Sequence, residues 1–151
     1  ASSLSNLISL SDDSGIEIDA LDKQPGIFSA RWAGPNRDFD FAMREVTRLL
    51  DEKKIPIAER TARFVCALCL FYPNGKYHIF VGKVEGRVVW PPRGKYGFGY
   101  DAIFKPLNMN KTFGEITSGE KHSWTPKKVG LSHRAKAFAK FVSYLAQEKS
   151  K

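Results

Sequence analysis

Residues 62–84 read ARFVCALCLFYPNGKYHIFVGKV, and they predict a β-hairpin on which the rest of the architecture depends. Apolar side chains dominate both arms, 62–71 and 77–84, and each arm has the length of a strand. The YPNG segment at 72–75 separates the arms, and its Asn-Gly pair suits a turn that needs positive φ. A third strand is predicted at residues 86–90, so the hairpin extends into a sheet.

Helices are predicted before and after this sheet, and a short strand is predicted at residues 16–19. From Asp38 onward, apolar residues recur at helical spacing, and the pattern stops before Pro56. The last helix is predicted to begin at Ser132, a good N-cap residue. It is predicted to bury five apolar side chains: Ala135, Phe138, Ala139, Val142 and Leu145.

Composition predicts one soluble domain that attracts anions. The chain has 151 residues, of which 42% are hydrophobic and 26% charged, as in ordinary globular proteins. The formal charge of +8 favours nucleotides, nucleic acid or acidic lipid as partners. There is neither a long apolar run nor a basic-then-apolar leader, so we expect a cytoplasmic protein without a membrane partner.

The two cysteines, Cys66 and Cys69, lie within a predicted strand. Their odd separation places them on opposite faces of that strand. A redox pair would open a helix, and neither a second cysteine pair nor a nearby histidine completes a zinc site. Two buried structural thiols are therefore expected.

An acidic turn is predicted at residues 12–15, which read DDSG. The preceding apolar residues Leu4, Leu7, Ile8 and Leu10 suit either the end of a helix or a strand. Two adjacent carboxylates can hold a divalent cation and position a water for attack on phosphorus. The alternative is an Asp-rich turn that satisfies its own backbone.

A glycine-rich loop at residues 97–102 reads GFGYDA. It lacks the strand before and the helix after that a dinucleotide-binding fingerprint requires, since Pro91 and Pro92 precede it closely. Its glycines let a flat base approach, its aromatic rings can stack on that base, and Asp101 can accept from it. The alternative is a corner whose aromatic rings pack inward.

The segment Ser132-His133-Arg134 opens the last helix with basic side chains in its first turn. The positive end of the helix makes basic residues unfavourable there, so stability alone would not select them. Together with Lys128 they suit an anion or a carbonyl-rich base edge. The alternative is a chance cluster on a basic protein.

Six blocks of the chain, in this order, resemble the inosine- and xanthosine-triphosphate pyrophosphatase family, which hydrolyses non-standard purine nucleoside triphosphates. The blocks are residues 11–21, 25–34, 92–94, 97–104, 112–115 and 132–134. The resemblance implies an elongated α/β domain with a central mixed sheet flanked by helices. It also implies hydrolysis of ITP, dITP and XTP to the monophosphate and pyrophosphate, with Mg²⁺ as cofactor.

The resemblance assigns roles residue by residue. It makes Asp13 the catalytic residue and a metal ligand, with Asp12 as a second metal ligand. Lys128 is the expected substrate lysine and Lys121 the alternative, because residues 122–127 look like an insertion. The remaining substrate-binding residues are Ser14, Phe98, Gly99, Tyr100, Asp101, His133 and Arg134.

One departure from the family concerns the phosphate-binding segment. Family members begin with a strand and a Thr/Ser-x-Asn-x-x-Lys loop that grips the triphosphate, followed by a metal-binding Glu, and these are not found here. Residues 1–151 are therefore expected to form a single domain that is N-terminally incomplete relative to the family. The family also implies a homodimer acting on a small nucleotide rather than stably on nucleic acid. A non-catalytic nucleotide- or nucleic-acid-binding module stays open as the alternative.

Overall fold

The structure is a computed structural model that describes residues 5–125 and 127–151. Its main sheet has four strands in the spatial order β1-β2-β3-β4, and a separate two-stranded hairpin, β5-β6, follows later in the chain. The strands are β1 (Ser9–Ile18), β2 (Thr61–Phe71), β3 (Tyr77–Val88), β4 (Phe104–Pro106), β5 (Trp124–Thr125) and β6 (Lys128–Val129). The helices are α1 (Ser29–Trp32), α2 (Phe39–Glu52), α3 (Ser118–His122) and α4 (His133–Lys149).

The predicted hairpin is confirmed as β2 and β3. Its antiparallel register pairs Phe71 with Tyr77 at the turn and Thr61 with Arg87 at the far end. The third strand predicted at 86–90 is not separate, because β3 runs without interruption to Val88. The α/β class is confirmed, and all strand pairs among the described residues are antiparallel, whereas a mixed sheet was expected.

The acidic segment predicted as a turn is instead part of β1. Asp12 pairs with Leu68 and Asp13 with Ala67 in an antiparallel ladder along β2. Aspartate and serine favour turns locally, but the ten-residue pairing with β2 overrides that preference. Leu10 belongs to the same strand, while Leu4 lies outside the described residues.

The two faces of the sheet differ in what covers them. Along β2, even-numbered side chains such as Phe64 and Cys66 are buried, whereas odd-numbered ones are exposed or half-buried. Cys69 lies on the second face, so the predicted opposite orientation of the two free thiols is confirmed. Only Cys66 is buried as expected, because Cys69 is half-buried on the face that the long helices do not cover. Both long helices pack on the first face, α2 against a core that includes Phe64 and α4 against Cys66 and Leu68.

Helix α2 begins where the sequence predicts. Asp38 caps it by accepting a hydrogen bond from the Phe41 N–H at 2.9 Å. Its buried face carries Ala42, Met43, Val46 and Leu50, which recur at helical spacing. Among the described residues, no helix combines the length and apolar character needed to cross a membrane.

Helix α4 also begins as predicted, but its buried face is different. The Ser132 hydroxyl accepts from the Ala135 N–H at 3.0 Å, which caps the helix. Phe138 is 39% exposed and Leu145 is 36% exposed, so two of the five residues predicted to be buried are not. Of the rest, Ala135 is buried, while Ala139 and Val142 are half-buried.

The orientation of α4 follows from a close approach to β3 at Gly82. A Cβ atom at Gly82 would clash with the carbonyl oxygen of His133 and the amide nitrogen of Ala137. The helix backbone therefore lies directly on the strand, and the turn that touches the strand contains the buried Ala137. Phe138, one residue later, points away from this contact.

Replacing Gly82 with alanine should separate α4 from β3. We expect Gly82→Ala to lower the free energy of unfolding by about 1–3 kcal/mol, because the added methyl group overpacks against rigid backbone. Gly119→Ala is the matched control, since a Cβ there meets nothing within 4 Å. Urea denaturation of both variants tests this, and equal stabilities would contradict the close approach.

Candidate functional site

A cavity of about 360 Å³ brings the three sequence motifs together. Strand β1 contributes Asp12 and Ser14, the glycine-rich loop contributes residues 98–101, and the start of α4 contributes residues 132–134. Phe64 and Phe113 add apolar wall, with their rings stacked at a centroid distance of 5.7 Å. Segments more than a hundred residues apart in sequence therefore face one space of the size that small ligands occupy.

Two of the predicted site residues, Asp13 and Lys128, do not line this cavity. Consecutive residues of a strand point to opposite faces, so β1 directs Asp12 toward the cavity and Asp13 away from it. Asp13 instead lines a smaller cavity of about 90 Å³ beside Gly26 and Val65. The two carboxylates therefore do not converge on one metal ion, as the adjacent pair was expected to do.

No group of three or more His, Cys, Asp or Glu side chains that could hold a metal occurs among residues 5–125 and 127–151. The Asp13 carboxylate is an exposed, hard oxygen donor of the kind that divalent cations prefer. The Asp12 carboxylate is not free to bind a metal in the same way, because its oxygens already accept hydrogen bonds from Arg134 and Ser14. Asp13 is thus the member of the acidic pair that is suited to a metal.

Asp12 and Arg134 form an ion pair that connects β1 with α4. The Arg134 Nε atom donates to Asp12 Oδ2 at 2.6 Å, and Nη2 donates to Oδ1 at 3.3 Å. Ser14 joins the pair, since its hydroxyl lies 3.0 Å from Asp12 Oδ1 and accepts from Arg134 Nη2 at 3.1 Å. Partial burial raises the pKa of Asp12, but the hydrogen bonds from Arg134 and Ser14 outweigh it, so the pKa lies below its usual value.

Lys121, the alternative substrate lysine, lies at the cavity wall. Its side chain is only 1% exposed, and its ammonium group contacts Asp101 Oδ2 at 2.9 Å and the Phe113 carbonyl at 3.0 Å. Lys128 is exposed on β6, which pairs with β5. The geometry therefore favours Lys121 over Lys128 as the lysine of this site.

A backbone hydrogen bond closes the segment that carries Lys128. The Ser132 N–H donates to the Lys121 carbonyl at 2.8 Å, which brings the two ends of the intervening segment together. A Cβ on Gly130 would clash with the Lys121 carbonyl oxygen, so this closure also requires a glycine. Lys121 therefore keeps its place at the cavity wall where this segment begins.

The imidazole of His133 is buried and uncharged at neutral pH. It stacks on Phe64 with ring centroids 4.8 Å apart, and its Nδ1 atom lacks a hydrogen-bond partner in the described part of the chain. Burial lowers the pKa of His133 to about 4, and the nearby Arg134 charge acts in the same direction. The cavity wall therefore includes a neutral imidazole, one nitrogen of which is buried without a partner in the described residues.

His122 is a cavity residue that sequence reasoning assigned only to an insertion. Its Nδ1 lies 2.9 Å from the Ser132 hydroxyl, which already accepts from the Ala135 N–H. The Ser132 proton is thus free to donate to Nδ1, which leaves the His122 proton on Nε2. Burial and the Lys121 charge lower the pKa of His122, which supports this neutral form. In the sequence, the feature that pointed to His122 as a cavity residue was its position directly after Lys121.

The two aromatic residues of the glycine-rich loop have different environments. Phe98 is 69% exposed at the mouth of the cavity, where its ring is free to stack on a ligand. Tyr100 is buried, and its hydroxyl donates to the Ser29 carbonyl at 2.7 Å. The inward-packing alternative therefore holds for Tyr100 but not for Phe98.

The tight loop around Gly99 depends on a glycine at position 97. Gly97 has φ of 81°, and a Cβ there would clash with the carboxylate of Asp101. Asp101 in turn accepts from the Phe98 N–H at 3.3 Å and pairs with Lys121. The loop and the buried lysine therefore hold one another in place.

Comparison with known proteins gives matches over almost the whole chain. A family model described as the Ham1 family matches residues 1–144. The dITP/XTP pyrophosphatase of Rhodopseudomonas palustris is 51% identical over 143 residues, which cover 94% of this chain and 68% of that protein. The dITP/XTP pyrophosphatase of Agrobacterium fabrum is 54% identical over 143 residues, covering 91% and 67%. This chain thus spans about two thirds of the length of these relatives.

Solved structures agree with the sequence matches. The Staphylococcus aureus Ham1 protein superposes with a TM-score of 0.82 at 31% identity, covering 95% of this chain and 69% of that one. A HAM1 protein from Coxiella burnetii gives 0.83 at 34% identity, covering 94% and 68%. The arrangement of sheet, loop and helix is therefore shared with proteins of known structure.

The buried His133 should make stability depend on pH. Its folded pKa of about 4 lies below the unfolded value, so the unfolded chain binds a proton first as pH falls. We expect the free energy of unfolding to fall by about 3 kcal/mol between pH 6.5 and pH 4 from this group. Urea denaturation across that range tests it. His133→Gln should lose this part of the slope and the exposed His78→Gln should keep it, whereas identical slopes would contradict the assignment.

Proposed function

This chain belongs to the Ham1 family, and we propose that it hydrolyses the non-standard purine nucleoside triphosphates dITP, XTP and ITP to the monophosphate and pyrophosphate. The observation that carries the proposal is the cavity itself. It combines an exposed aromatic ring, a neutral buried imidazole and a fixed guanidinium within about 360 Å³. These groups match the flat face and the carbonyl edge of a 6-oxopurine.

In this proposal the purine is recognised both by its flat shape and by hydrogen bonds to its edge. Phe98 stacks on one face of the base, while Arg134 and His133 approach its edge. The Nη1 atom of Arg134 makes no hydrogen bond within the described residues, so it is available to a 6-oxo group. Adenine presents an amino donor at that position, which leaves the protein's donor unpaired at a cost of about 1–3 kcal/mol.

The triphosphate is proposed to cross the edge of the sheet. Among the described residues, strand β1 lies at the edge of the four-stranded sheet. A nucleotide with its base on the Asp12 face therefore needs only to pass over this edge to bring its phosphates toward Asp13. Asp13 then orients the attacking water or removes its proton. In this arrangement the Lys121 ammonium group is nearer to the base than to the phosphorus atom that the water attacks.

A divalent cation fits the chemistry of Asp13, and we propose Mg²⁺ as that cation. When bound, it would offset phosphate charge and lower the pKa of the attacking water. Because Asp12 is occupied by Arg134, Asp13 is the ligand that this acidic pair contributes. A homodimer and a cytoplasmic location, where free nucleotides occur, complete the proposal. No observation favours the alternative of a non-catalytic binding module.

Replacing Asp13 should slow turnover strongly and spare the base site. With dITP and Mg²⁺, we expect Asp13→Asn to lower pyrophosphate release by about 10² or more, since the variant cannot accept the water proton. Asp40→Asn, an exposed carboxylate at the first turn of α2, is the charge-matched control and should hydrolyse dITP normally. Wild-type turnover in the Asp13 variant would remove Asp13 from the mechanism.

A second pair of variants separates the two candidate lysines. Lys121→Met should weaken nucleotide binding by about tenfold or more, because it removes a buried charge from the cavity wall. Lys128→Met should change binding by less than about twofold, as expected of an exposed charge. Calorimetric titration with dITP and Ca²⁺, alongside melting curves, tests this. If Lys121→Met unfolds, the double variant with Asp101→Asn removes both charges together, and the reverse ranking would restore Lys128.

A further inference from the structure

The side chain of Asp12 has a geometry that neither metal binding nor turn formation explains. Both of its oxygens accept from one edge of the Arg134 guanidinium, through Nε and Nη2. The same carboxylate also lies 3.0 Å from the Ser14 hydroxyl and 3.7 Å from the Cys66 sulfur. Asp12 thus accepts from three different side chains, all on the cavity face of the sheet.

We propose that Asp12 is a positioning residue for Arg134, and that it thereby sets the preference for 6-oxopurines. This inference rests on the proposed function. The guanidinium is planar, so fixing its Nε and Nη2 edge fixes the direction of Nη1 as well. Asp12 therefore determines where Nη1 points, although it need not touch the base itself.

The need for such a residue follows from the position of Arg134. It is in the first turn of α4, where the positive end of the helix repels a guanidinium. An arginine side chain also has several rotatable bonds, and ordering it costs roughly 2 kcal/mol of conformational entropy. A carboxylate fixed on a neighbouring strand offsets both effects, and strand β1 supplies it directly opposite the helix.

Ser14 strengthens the same arrangement. It lies two residues after Asp12, so both side chains point to the same face of β1. Its hydroxyl donates to the carboxylate and accepts from Arg134 Nη2 at 3.1 Å. The guanidinium is therefore held by two residues of one strand, and this strand is paired with β2 along its whole length.

The pair contributes to geometry more than to stability. Arg134 and Asp12 are 37% and 35% exposed at their side chains, so solvent screens their attraction. Exposed ion pairs typically contribute less than about 1 kcal/mol to folding. A positioning role therefore predicts that Asp12 can be replaced with little loss of stability, whereas recognition of the base should suffer.

The experiment measures base recognition without turnover. Inosine monophosphate is titrated calorimetrically into the protein in EDTA, which removes any metal contribution. We expect Asp12→Ala to weaken binding by about tenfold, as for the loss of one well-placed hydrogen bond. Asp40→Ala, which removes an exposed carboxylate in the first turn of α2, is the matched control and should bind normally. Unaltered binding by Asp12→Ala would overturn the inference.

A double-mutant cycle tests whether Asp12 acts through Arg134. Arg134→Ala should weaken binding, and adding Asp12→Ala to it should cause less than about twofold further loss, because the group to be positioned is gone. Equal losses in both backgrounds would mean that Asp12 acts independently, which would overturn the inference.

Kinetics with intact protein and Mg²⁺ provide the third readout. For Asp12→Asn, we expect a rise in KM for dITP of about tenfold with kcat changed by less than about threefold, and a smaller preference for dITP over dATP. The Mg²⁺ concentration for half-maximal rate should stay unchanged, and an increase would make Asp12 a metal ligand instead. If the wild-type protein binds no inosine monophosphate, the proposed function fails and this inference fails with it.

Discussion

The register between β1 and β2 is the constraint on which the site depends. Side chains alternate along a strand, so this pairing determines which of two neighbouring carboxylates faces the cavity. A slip by one residue would exchange Asp12 with Asp13 and move Ile16 and Ile18 from the core to the opposite face. Because both isoleucines are fully buried, the hydrophobic core itself holds the acidic residues in place. The register between β1 and β2 therefore determines both how the core packs and which carboxylate lines the cavity.

The close contact between α4 and β3 positions the part of the site that α4 contributes. At Gly82 the helix backbone lies against the strand, which leaves little freedom for the helix to slide or rotate. The first turn of α4 is consequently held at a fixed height above the sheet. There, His133 meets the ring of Phe64, and Arg134 reaches across to β1. A glycine far from any motif thus aligns two motifs with one another.

Local signals in the sequence predicted much of this structure, and nonlocal contacts account for the rest. The hairpin at 62–84 and the N-caps Asp38 and Ser132 are specified by neighbouring residues, so their patterns were readable. The segment 12–15 was expected to turn, because nothing in its own composition reveals the ladder with β2. Similarly, Phe138 has helical spacing, but its exposure is set by where α4 touches β3. Spacing alone also could not tell which lysine remains at the cavity wall.

The clamp between Lys121 and Ser132 has a consequence for how such sequences can diverge. Since the two ends of the intervening segment are joined by a backbone hydrogen bond, chain length between them is free to vary outside the cavity. The entropic cost of a longer loop grows only slowly with its length. A longer or shorter segment at this place would therefore leave the same lysine beside the same helix. This position is therefore suitable for the insertion of a foreign peptide.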